Sequence, residues 1–348
     1  LVIFIIIAFS SSVVDMSLLL APSTPSTLSV RILQIFQSSD MDSFFIASNL
    51  SLIQLFIIII LLIVWIFFEK IIKLKFFYIF FIKITSFKSE FLKITILCFN
   101  IILFLLSFMG IICSILWGFS ENWYFPNFFP NDLNIENFLN FYYQNKSLIL
   151  ISIFIPLMVS LLSISLTILW VELLDYLNIT KTQFEWIIFT PLFIPQISFL
   201  IGIQSFMIFF NSSSFLIPII FVQLFYVIPY CFIILAPAMR EVKSDYIKVA
   251  SSLGKNRIVR LFKIKIPLVL PSLMTSFAIG MIVSFALYVP VYFIGAGRVT
   301  TLTVEALNLA LSGSKQDLGI ATFFQILFPT LLLFTVAFIN RKTIKWQI

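Results

Sequence analysis

The side chains able to do chemistry are few, and they sit in unusual places. Eight basic residues crowd the polar stretch 239–270, where Arg257, Arg260, Lys263 and Lys265 interleave with Ile258, Leu261, Phe262 and Ile264. That spacing describes a short basic amphipathic helix, which lies on an anionic leaflet or docks on another protein. A second group is polar yet embedded in apolar runs: Asp15, Gln196, Gln204, Gln223, Tyr226, Tyr230, Tyr288 and Tyr292. Gln223, Tyr226 and Tyr230 are spaced i, i+3 and i+7 and share one helix face. Pro191 and Pro195 break the run that carries Gln196 and Gln204, and Pro229 and Pro290 stand within the polar clusters of two other runs. A break frees backbone groups, which a membrane tolerates only where protein or a water-filled cavity satisfies them. These residues therefore line a polar translocation path, or they hydrogen-bond between packed helices. Asp15 is either a functional intramembrane carboxylate or a hydrated group capping the polar stretch before Pro22. The chain has no His, and Cys98, Cys113 and Cys231 lie within apolar runs as small hydrophobes. There is no metal-ligand spacing and no G-x-x-x-x-G-K-[ST] phosphate loop. No bound cofactor, metal or catalytic residue is expected.

The elements that must position these groups follow from composition. Of 348 residues, 61% are hydrophobic and 11% charged, with a mean hydropathy of +1.13. Soluble domains carry about 25% charge, so the reading is an all-α polytopic membrane protein. Apolar runs long enough to span a bilayer occur at 2–21, 44–68, 94–118, 147–171, 186–210, 215–238, 271–296 and 318–339, about eight transmembrane helices. Alternate loops then divide the charge. The set 69–93, 172–185, 239–270 and 340–348 holds 18 Lys and Arg, against 4 in the opposite set. By the positive-inside rule the first set is cytoplasmic, and so is the C-terminus. The net charge of +7 is thus a topology signal, and no nucleic-acid partner is expected.

A repeat organises the spans. Residues 26–48 align with 300–322 at an offset of 274, pairing Thr27 with Thr301, Leu28 with Leu302, Val30 with Val304, Leu33 with Leu307 and Ala47 with Ala321. Residue 1 is Leu and opens directly into an apolar run. The expectation is that 1–68 are the last two spans of a truncated first half, 69–93 a basic cytoplasmic linker, and 94–348 a complete six-span half. An intact chain of roughly 530 residues follows from that logic.

Within 240–270, Val242, Tyr246, Val249, Ala250 and Leu253 form one helical stripe. Gly254 is placed to end that helix, and Pro267 and Pro271 to stop the next one. Lys248-Val249-Ala250, Gly254, then nine residues, then Ile264-Lys265-Ile266-Pro267 resembles the coupling-loop signature E-A-A-x-x-x-G-x9-I-x-L-P of ATP-binding-cassette importer permeases. Ala250, Gly254, Ile264 and Pro267 match, whereas Lys248, Val249 and Ile266 replace Glu, Ala and Leu. The stretch 189–207 resembles the third core span of thiamine, iron(III) and polyamine permeases, and 13–33 the end of the first half of a fused thiamine-type permease.

The resemblance implies an inner-membrane permease of a bacterial importer. Its loop would dock on a dimeric cytoplasmic ATPase that holds the ATP-Mg, and a periplasmic solute-binding protein would deliver the solute. The external loop 119–146, with Trp123, Tyr124, Tyr142 and Tyr143, reads as an interfacial aromatic belt or as a docking surface for that binding protein. The solute stays open among thiamine, iron(III), sulfate and polyamines, with a lean to thiamine. The competing reading is an ion-coupled secondary transporter using Asp15. A membrane-embedded enzyme would need His, paired carboxylates or metal spacing that the chain lacks.

Overall fold

A computed structural model describes residues 2–22, 24–38, 41–73, 89–121, 123, 126–130, 132–177, 185–209, 215–242 and 244–347. The described residues are almost entirely helical, and the one β feature among them is an isolated bridge between Ser120 and Leu133. In chain order the helices are α1 (Val2–Ser12), α2 (Asp15–Leu20), α3 (Leu28–Phe36), α4 (Met41–Lys73), α5 (Ser89–Phe119), α6 (Glu136–Gln144), α7 (Lys146–Tyr176), α8 (Trp186–Phe193), α9 (Gln196–Phe209) and α10 (Leu216–Arg240). They continue as α11 (Ser244–Ser252), α12 (Arg257–Leu268), α13 (Leu270–Ala286), α14 (Val289–Gly295), α15 (Leu302–Ser312) and α16 (Lys315–Gln347).

Five of these, α4, α5, α7, α10 and α16, are long and apolar enough to cross a membrane. The bent pairs α8–α9 and α12–α13 raise the number to seven if each counts as one span. The expected run 2–21 is not one helix: it breaks at Val13–Val14 into α1 and α2. The run 271–296 likewise breaks at Leu287–Tyr288. Hydropathy measures apolar length and is blind to such breaks. The central part of the expected linker, 74–88, lies outside the described residues.

These two breaks are equivalent. Shifted by 274, the last residue of α1 falls on the last of α13, α2 falls on α14, and α3 and α4 begin where α15 and α16 begin. The contact that closes each break recurs as well. The Ser29 hydroxyl donates to the Ser11 carbonyl at 3.3 Å, and the Thr303 hydroxyl donates to the Phe285 carbonyl at 2.7 Å. A carbonyl freed where a helix stops needs a donor inside a membrane, and the following amphipathic helix supplies one in both copies.

The chain divides into two compact units. The first comprises Leu1–Phe141, Phe193–Phe199 and Leu309–Phe323. In it α3 packs on α4, and the Gln54 amide reaches the Ser29 hydroxyl at 2.7 Å and the Ser11 carbonyl at 3.1 Å. The backbones of α5 and α16 meet at Gly118 and Gly319, where a Cβ on Gly118 would lie 3.0 Å from the Gly319 carbonyl carbon. Trp123 stacks edge-on against Trp117, and Phe119, Phe138 and Phe323 form an aromatic trio.

The second unit comprises Tyr142–Leu192, Leu200–Asn308 and Phe324–Ile348. Its core is the mutual packing of α7, α10 and α13. Small side chains let these helices approach closely: Ser160 and Ser163 on α7, Cys231 on α10, and Ser276, Gly280 and Ser284 on α13 are all buried.

Candidate functional site

The segment between α10 and α13 has a defined shape. α11 ends in a Schellman turn, with the Gly254 amide on the Ser251 carbonyl at 2.9 Å and the Lys255 amide on the Ala250 carbonyl at 3.1 Å. Gly254 holds φ +72, the left-handed conformation that its lack of a Cβ permits. Asn256 then caps α12, its side-chain oxygen accepting from the Val259 amide at 3.1 Å. The sharp bend expected at Gly254 is therefore present.

Pro267 does not stop the second helix, contrary to the sequence expectation. The turn before it, Leu261–Lys265, is wound as a π-helix, and the helix runs through to Leu268. A wider turn gives the proline ring room and accommodates its missing amide hydrogen. The chain instead turns by 79° between α12 and α13, at Val269, with Pro271 in the first turn of α13.

Seen from outside, α11 and α12 are more apolar than a surface loop requires. Tyr246, Val249, Leu253, Ile258 and Phe262 are all more than half exposed, whereas Ala250 is buried. The stripe anticipated on α11 thus turns most of its apolar side chains outward. Lys248 is exposed and lies 3.9 Å from Asp245, an i, i+3 pair between solvated groups. Ile264 and Ile266 are half-buried and Pro267 is exposed.

Lys265 corrects a second expectation. Its place in the basic amphipathic stretch predicts a cation facing a leaflet or another protein, yet its side chain is only 8% exposed. Its ammonium donates to the Glu172 carboxylate and, at 2.9 Å, to Asp175. Arg257 donates to the same Glu172 carboxylate at 3.2 Å and to the Glu172 carbonyl, and its guanidinium lies 5.0 Å from the centre of the Tyr176 ring. Glu172, Asp175, Arg257 and Lys265, with Arg260, Ile247 and Leu261, line a cavity of about 220 Å³. Nearby in sequence, Arg240 at the end of α10 pairs with Glu185 at 2.6 Å. Glu172 and Asp175 were absent from the sequence-derived site. Their signal was there: two acids at i, i+3, ending a span otherwise free of acids.

The polar residues of the apolar runs fall into different settings. Gln223 is buried and accepts a hydrogen bond from Ser284 at 2.5 Å, and Tyr226 and Tyr288 are buried as well. Tyr288 and Tyr292 stack with ring centres 5.1 Å apart. Tyr230 and Tyr292 are half-buried. Ser152 holds the start of α15, accepting from the Leu302 amide at 2.8 Å. Gln196 opens α9 directly after the 97° bend at Ile194–Pro195. The Gln204 carbonyl oxygen is buried with no hydrogen-bond partner among the described residues. Asp15 occupies the first turn of α2 and is half-buried, where the helix dipole favours a carboxylate. Gln223 and Tyr288 thus act in packing and interhelical bonding in this conformation, while Gln204 keeps an unmet acceptor.

Comparison with known proteins bears on this arrangement. Residues 147–344 match the family model described as binding-protein-dependent transport system inner membrane component. The chain is also 24% identical over 340 residues to the inner membrane ABC transporter permease protein YnjC of Escherichia coli (strain K12). That match covers 97% of this chain and 60% of the relative, so the chain spans less than two thirds of the relative's length.

Proposed function

Because the chain belongs to the binding-protein-dependent transport system inner membrane component family, we propose that it is the membrane-spanning part of an ATP-driven importer whose ATPase docks on α11 and α12. The observation that carries the docking reading is the outward apolar face of Tyr246, Val249, Leu253, Ile258 and Phe262 on a loop of fixed shape. Exposed apolar groups of this size beside ionic neighbours are characteristic of a protein interface. ATP-Mg is held by that partner, the loop faces the cytoplasm together with the C-terminus, and the protein resides in the bacterial inner membrane.

A solute-binding protein on the opposite side delivers a small solute, with thiamine favoured over iron(III) or polyamines. Support for two halves comes from the shared offset of 274 in helix boundaries and in the Ser29 and Thr303 contacts. On that basis residues 1–68 are the end of one permease half and 94–348 the other. Gln196, Gln204, Tyr230 and Tyr292 are the better candidates for the path wall, and Gln223, Tyr226 and Tyr288 would join it only after rearrangement.

Deleting 241–267 tests the docking reading: the purified protein should lose its co-isolated ATPase activity, and undiminished co-isolation would contradict it. ATP-dependent uptake in vesicles without an ion gradient separates the importer from a secondary transporter working through Asp15.

A further inference from the structure

We propose that Glu172 is a positioning residue that makes α12 and α7 move as one body when the ATPase acts on the loop; the proposal rests on the docking reading above. One carboxylate takes two attachments from α12, Arg257 at its first residue and Lys265 eight residues on. A single ion pair is a pivot, whereas two attachments fix direction.

The π turn is what allows both. An α-helix advances about 100° per residue, which would leave residues eight apart about 80° out of register. The looser winding over Leu261–Lys265 brings Lys265 back toward the face that carries Arg257. The side chains of Glu172 and Lys265 are 12% and 8% exposed, so salt screens this pair far less than a surface pair. The bend at Val269 means that a push on α12 is not delivered along the axis of α13. The ionic link instead hands it to α7, which packs on both α10 and α13. Asp175 holds the other side of the Lys265 ammonium.

Two spin labels on the full chain, in complex with its ATPase in lipid nanodiscs, test this. The exposed Cys98 and Cys113 are first replaced by Ser, and labels are placed through Ser165→Cys on α7 and Lys263→Cys on α12, both exposed positions. The wild-type distance should be narrow and unchanged when ATP and vanadate are added. With Glu172→Gln it should broaden and shift on adding nucleotide while the ATPase stays bound; Lys265→Arg, which keeps the charge, should behave as wild type. A nucleotide-dependent shift in the wild type would overturn the proposal, as would a Glu172→Gln complex with the wild-type distance in both states. Lack of any bound ATPase on the wild-type chain would instead overturn the docking reading, and the proposal with it.

Discussion

Gly280 offers the sharpest test of the packed core. A Cβ at this position would lie 2.9 Å from the Cys231 sulfur, 3.2 Å from the Ser160 Cβ and 3.4 Å from a Val227 methyl. Gly280→Ala therefore sets two effects against each other. Replacing a mid-helix glycine by alanine favours the helix by about 1 kcal/mol. Forcing a methyl into a filled site costs about 1–3 kcal/mol. The clash should win by about 1 kcal/mol, lowering the thermal midpoint in detergent by about 1–2 °C for a chain of this length. Tryptophan fluorescence reads this without touching the buried thiol. In a Cys231→Ala background the nearest contact is gone, and only the Ser160 contact remains close. There, Gly280→Ala should be near neutral, which corresponds to a coupling of about 1 kcal/mol in a double-mutant cycle. A stabilising Gly280→Ala in the wild-type background, or the same effect in both backgrounds, would refute the three-helix crossing.

Other contacts make separate predictions. Thr303→Val should destabilise by about 1 kcal/mol, because the freed Phe285 carbonyl loses its hydroxyl donor. Ser29→Ala should cost at least as much, since it removes both a donor to the Ser11 carbonyl and the acceptor of the buried Gln54 amide; thermal midpoints of the two variants give the order. Gly254→Ala meets no atom within 4 Å, so its penalty of about 1–2 kcal/mol should come from left-handed strain alone. Gly254→Asn should recover part of that penalty in the same unfolding assay. Gln223→Leu strands the buried Ser284 hydroxyl and should cost about 1–3 kcal/mol, whereas Gln223→Leu with Ser284→Ala should be milder than the single change.

Much of the architecture is legible in the sequence because it depends on composition and chain-local signals. Apolar run length marks α4, α5, α7, α10 and α16, Pro195 marks the bend before α9, and Gly254 marks the turn of the loop. The repeat at 274 is visible as matched letters, and the helix boundaries follow it. What escaped depends on partners distant in the chain. A lysine in a basic stretch reads as solvated, and only the fold brings Lys265 onto Glu172 and Asp175, about ninety positions earlier. Val13–Val14 and Leu287–Tyr288 break helices without a glycine, and the donors that satisfy the broken ends come from later helices. Gln223 reads equally well as a path residue or a packing residue until Ser284 is found beside it. The π turn is likewise invisible to a fixed helical period, which assigns Pro267 as a stop.

A photo-crosslinking residue at Val249 reports whether the face of α11 and α12 meets an ATPase. Val249 is 61% exposed, so the replacement leaves the core untouched. In native membranes it should capture one polypeptide that is labelled by azido-ATP and hydrolyses ATP after purification. Crosslinks confined to lipid, or to a polypeptide that does not bind ATP, would contradict that contact.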